Sequence, residues 1–141
     1  MIEFEGIDIV LDRDLEDERT GDAVAAALSV ETARVAVIHD MGQYPERQEA
    51  DVVCVVTQTS GDFSEVVSIQ CEPMKLRFAR ILDVVVRLAS TLQVRILAPD
   101  EGPNPYLMWL VEPERSPIQV ALDEAALDDE RYEIRGTHPQ R

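Results

Sequence analysis

Between Pro73 and Leu92, apolar side chains recur at Met74, Phe78, Ile81, Leu82, Val85, Leu88, Ala89 and Leu92. That spacing draws one wide apolar stripe along a helix. Arg80, Asp83 and Arg87 fall on the opposite side. Asp83 precedes Arg87 by four residues, the favourable order for a helical ion pair. Pro73 suits a first helical position, where its missing N–H costs nothing. The pattern predicts a helix over about 73–92, and its stripe has to be buried against a sheet.

The strands of that sheet are signalled on both sides. Residues 2–11 alternate at Ile2 and Phe4 and again at Ile7, Ile9 and Leu11, with Gly6 between the halves as a bulge or bend requires. Arg34 to His39, Val52 to Thr57 and Glu65 to Cys71 are rich in Val and Ile. Thr59-Ser60-Gly61-Asp62 reads as the turn of a hairpin. A turn centred on Ser60-Gly61 sets Cys54 opposite Val67, with Cys71 about 13 Å further along, too far for a disulfide. A longer loop would pair the two cysteines directly. Val94 to Leu97 is a further strand, and Tyr106 to Val111 with Pro117 to Leu122 forms a second hairpin.

Thr20-Gly21-Asp22 opens the run Ala23 to Leu28. Thr20 or Asp22 is the expected N-cap of a short helix over about 20–29. Asp123 to Glu130 reads as a short helix or an acidic loop, Arg131 to Arg135 as an edge strand, and 136–141 as a flexible tail. The expectation is a single α+β domain over 1–135. It has two layers and a mainly antiparallel sheet of about six to seven strands. Val52 to Val56 and Tyr106 to Val111 do not alternate, so those strands are apolar on both faces. Either the helices lie on opposite sides or a second subunit covers the remainder. A homodimer is the reading adopted.

The 141 residues carry 28 acids against 13 bases, a net charge of −15. Phosphate contacts need a cationic face, so nucleic acid is not an expected partner. An anionic membrane surface is disfavoured in the same way. The N-terminus has no cationic region followed by an apolar one. The longest apolar runs, Ala23 to Leu28 and Tyr106 to Val111, fall far short of the ~20 residues of a membrane span. Two cysteines make no disulfide scaffold, and a reducing cytoplasm is the expected setting.

Glycine spacing admits neither a dinucleotide-binding nor a P-loop motif. The histidines and cysteines lack zinc spacing. Counted from Asp12, the calcium-loop positions that need Gly and Glu hold Asp17 and Ala23. No metal and no cofactor is therefore expected. His39 and Asp40, at a strand end, are the candidate catalytic pair. The plainer reading is a polar pair closing the strand, bonded to the turn at Gly42. Cys54, among valines, is expected to stay a thiol.

Charge is unevenly placed. Residues 1–21 hold eight acids against two arginines, and 100–134 hold ten against two. Segment 75–95 runs the other way, with five bases against Asp83. The expected partner-binding residues are Asp12, Asp14, Glu16, Asp17 and Glu18, joined by Asp123, Glu124, Asp128, Asp129 and Glu130. They act as a charge field that steers a basic protein partner, although a solvated acidic surface needs the same residues.

In size, acidity and lack of motifs the chain resembles bacterial immunity proteins, which implies an inhibitor that plugs a basic cleft. Over about 20–112 the order helix, three strands, helix, two strands is similar to type III secretion chaperones, which implies a homodimer. A third alternative is a small cofactor-independent enzyme using His39 with Asp40 or Asp12.

Overall fold

The computed structural model describes residues 2–3, 6–46, 49–71, 77–78, 81–100 and 102–137. In chain order the elements are β1 (Ile2–Glu3), β2 (Gly6–Leu11), α1 (Asp17–Leu28), β3 (Val35–Ile38), β4 (Val52–Gln58), β5 (Ser60–Gly61), β6 (Glu65–Cys71) and β7 (Arg77–Phe78). They continue with α2 (Ile81–Leu92), β8 (Ile96–Pro99), β9 (Leu107–Val111), β10 (Ile118–Leu122), α3 (Glu124–Asp128), β11 (Arg131–Tyr132) and β12 (Ile134–Thr137). Eight strands form the main sheet in the order β12-β10-β9-β8-β2-β6-β4-β3. All its pairings are antiparallel except β3 with β4. The fold is α+β.

Helix α2 is shorter than the stripe predicts. Arg77 and Phe78 are extended and pair antiparallel with Glu3 and Ile2. Backbone groups committed to a ladder are not open to helical bonding, so Arg77 and Phe78 are not part of the helix, which is described over Ile81–Leu92. Pro73, Met74 and Arg80 lie outside the described residues. From Ile81 onward the stripe holds: Val84, Val85, Leu88, Ala89 and Leu92 are buried, while Arg87 and Thr91 are exposed. Burying each large member is worth roughly 1.5–3 kcal/mol.

Helix α1 begins earlier than expected, at Asp17. Glu16 takes the N-cap position, and Thr20 lies inside the helix, buried. Asp17 and Glu18 in the first turn suit the positive end of the helix dipole.

Both helices pack on the same face of the sheet. Ala23, Val24, Ala27 and Leu28 of α1 join the α2 stripe over Ile9, Leu11, Cys54, Val67, Ile69 and Ile96. Helices α1 and α2 are therefore not on opposite sides; it is α3, through Leu127, that lies on the other face. The chain itself covers part of the second face: Phe63, Leu127 and Tyr132 close over Val10, Leu97, Met108, Leu110, Val120 and Leu122. Strand β11 is held there by parallel pairing with β5. A smaller cluster of Ile38, Val53 and Val55 lies near the β3 edge.

The first hairpin is displaced by two residues from the expected register. Gln58 pairs with Glu65, so Cys54 faces Ile69 and Cys71 faces Val52. The turn spans 59–64, longer than one centred on Ser60-Gly61, and neither cysteine forms a disulfide. Gly136 and Thr137, expected in the tail, belong to β12 and pair with Ala121 and Val120. Residues 138–141 lie outside the described residues. No helix among the described residues is long and apolar enough to cross a membrane.

Candidate functional site

The turn joining β4 to β6 is where the two acidic segments meet. The first, Asp12 to Glu18, links β2 to α1. The Gln58 amide group lies 3.2 Å from both carboxylate oxygens of Asp14, a contact that only its nitrogen can make as a donor. The second contains α3. Thr59 Oγ1 donates to the Glu130 carbonyl at 2.8 Å, across 71 residues of sequence. Gln58 and Thr59 are neighbours, about 3.8 Å apart at Cα. Gln58 contacts the first segment and Thr59 the second, so two adjacent residues touch both.

Not every acid in these segments contributes to a free field. Asp12 extends the β2–β8 ladder: its Oδ1 accepts from the Arg95 backbone N–H at 3.1 Å and its Oδ2 from Arg95 Nε at 3.2 Å. The same guanidinium lies 5.4 Å from the centre of the Phe63 ring. Asp123 caps α3 by accepting from the Ala126 N–H at 2.9 Å. Asp128 accepts from the Tyr106 hydroxyl at 3.2 Å and, through its charge, holds that phenol above its usual range. Asp129 lies 3.8 Å from Arg131. Glu16, Glu18, Glu124 and Glu130 are exposed. The outward charge therefore rests on those four together with Asp14, Asp17 and Asp128, which are also exposed, while Asp129 is paired with Arg131.

His39 and Asp40 part company. Asp40 Oδ1 accepts from the Gly42 N–H at 2.7 Å and caps a single 3-10 turn at Met41–Gln43. His39 turns instead to Asp17, its Nε2 lying 2.8 and 2.9 Å from the two carboxylate oxygens. Both side chains are about half exposed, 53% and 50%. The two carboxylates weighed as partners for His39 are thus engaged elsewhere, Asp40 at Gly42 and Asp12 at Arg95.

Beneath this cluster lies a residue not singled out from sequence. Glu65 is 1% exposed. Its Oε2 accepts from the Leu15 N–H at 3.2 Å, and its Oε1 is buried without a partner. Burial raises its pKa, opposed by the Leu15 hydrogen bond and by His39 and reinforced by Asp14 and Asp17. The signal was present: positions 65, 67 and 69 alternate onto the helix-covered face, which places Glu65 inward with Val67 and Ile69. Cys54, fully buried, has its thiol pushed up to about 12 by burial. It is held as a small hydrophobe. Among the described residues no group of three or more His, Cys, Asp or Glu is placed to hold a metal ion.

No family model matches this chain, and no curated protein or solved structure matches it.

Proposed function

We propose that this chain is a non-enzymatic binding module that uses its acidic rim to capture a basic protein, as an inhibitor or immunity-type protein does. The observation that supports the reading is the pair Gln58 and Thr59, which touch Asp14 of one acidic segment and Glu130 of the other. Acids gathered in one place add their potentials over the Debye length, about 8 Å at physiological salt, whereas scattered acids are screened separately. Such a field raises encounter rates with a cationic surface. The engagement of Asp40 and Asp12 away from His39 weakens the competing enzymatic reading.

The test is capture from an extract of the producing organism at low and high salt. It compares the wild-type chain with a variant carrying Asp14→Lys, Glu18→Lys, Glu124→Lys and Glu130→Lys. A basic protein held by the wild-type chain at low salt, released at high salt and not held by the variant supports the reading. Equal retention by both chains, or capture of no basic protein, overturns it.

A further inference from the structure

On the sheet face away from the helices, the side chains of Val66, Ser68 and Gln70 line up along β6. Asp8 of β2 lies directly across from Ser68, and Val55 and Thr57 of β4 flank the row on the other side. Two open clefts lie on this lane. One, about 420 Å³, is bounded by Thr57, Thr59, Val66, Leu127, Glu130 and Tyr132. The other, about 440 Å³, is lined by Gly6, Asp8, Ser68 and Gln70. Tyr44, 44% exposed, reaches its far end and donates from its hydroxyl to Gln70 Oε1 at 3.1 Å. From Val66 to Gln70 the lane runs about 13 Å, the length of four residues of extended chain.

The chemistry of the lining is one-sided. Among its described residues the charged ones are Asp8 and Glu130, and none is basic. Burial, followed by the charges of Asp8 and then Glu130, pushes the Tyr132 phenol above its usual range. Glu130 and Tyr132 line the same cleft, and Asp8 lines the other. An aromatic face beside carboxylates, with hydroxyl and amide acceptors near, suits a guanidinium: its plane stacks on the ring while its fork bonds to oxygen. The apolar surfaces of Val66 and Leu127 suit the methylene stem.

We propose that the lane along β6 is a docking groove for an extended, arginine-bearing segment of the basic partner. One arginine seats between Tyr132 and Glu130, and a second, two residues along, reaches Asp8. The proposal rests on the acidic-capture reading and deepens it, since the rim would steer the partner and the groove would select the segment.

The probe is the peptide acetyl-Ala-Arg-Ala-Arg-Ala-Arg-Ala-amide, titrated into the full chain and followed by backbone amide NMR at 0.15 M salt. Its arginines share one side of an extended strand. The expected shifts fall on Thr57, Ser68, Gln70 and Tyr132. Asp8→Asn with Glu130→Gln weakens binding at least tenfold, and Ser68→Arg abolishes it. Asp22→Asn with Glu114→Gln, which removes the same charge elsewhere, changes it less than twofold. If Ser68→Arg does not fold, the two double variants still decide the question. Shifts confined to Asp12–Glu18, or equal weakening by both double variants, overturn the groove while leaving acidic capture standing. Absence of binding also overturns the groove. Failure of acidic capture itself is read separately, in the retention experiment above.

Discussion

Nε2 of His39, at the end of β3, faces both carboxylate oxygens of Asp17, in the first turn of α1 and 22 residues earlier in the chain. The contact ties the helix start to the sheet at the same end as the β4–β6 turn. The contact is exposed, and even a fully charged exposed pair contributes little, about 0–1 kcal/mol.

His39→Ala should therefore lower stability by less than about 1 kcal/mol in urea denaturation and leave capture of a basic protein intact. Loss of a measurable turnover with retained folding would instead favour the enzymatic reading.

Glu65 makes stability depend on pH in a defined direction. Its pKa is raised in the folded protein, mainly by burial. The folded state thus holds the proton more tightly than the unfolded chain. Its favourable contribution is complete below the ordinary value of 4.5 and is lost as pH rises through the folded pKa. Glu65→Gln cannot ionise, and its amide oxygen still accepts from Leu15. Relative to wild type, the variant should gain stability as pH rises from 4 to 7, measured by chemical denaturation at fixed temperature. A constant difference between the two chains would show that Glu65 does not titrate across that range.

Gly61 is required by the junction itself. Its φ is +99°, and an added Cβ would stand 2.5 Å from the Tyr132 carbonyl oxygen. Backbone on backbone leaves nothing to yield. Gly61→Ala should cost roughly 2–3 kcal/mol. It should also speed hydrogen exchange at the Asp62 amide, which donates to the same carbonyl at 2.8 Å. Unchanged exchange would contradict the β5–β11 pairing.

The two sides of α2 should respond very differently. Leu88 is fully buried, and Leu88→Ala should cost about 2–5 kcal/mol. Thr91 is exposed, and Thr91→Ala should change stability by less than about 0.5 kcal/mol. The ratio of the two effects, from denaturant midpoints, tests the assigned helix face.

The sequence made the strand runs legible because Val and Ile cluster where side chains are buried, and the α+β class follows from their order. The turn at Asp40 and Gly42 was also legible, since an Asp two residues before a Gly is local chemistry. Other features depend on long-range partners. Phe78 belongs to the helical stripe in sequence, yet it and Arg77 pair with Ile2 and Glu3 of β1, 76 and 74 positions away. The covering of the second face by Phe63, Leu127 and Tyr132 needs segments distant in sequence to fold back together. Within the acidic segments, local composition gave no means of separating Asp12, bound to Arg95, from Glu18, exposed. Glu65 was readable from alternation alone, but a lone acid at the start of a strand is easily taken for its polar end.

The most direct test is the association rate of the captured basic protein, measured by stopped flow at low and high salt. The wild-type chain is compared with the variant carrying Asp14→Lys, Glu18→Lys, Glu124→Lys and Glu130→Lys. The account predicts association at least tenfold slower for the variant at low salt, on the order of the steering effect of a charged face, with the gap closing as salt rises. Equal rates at low salt would contradict it.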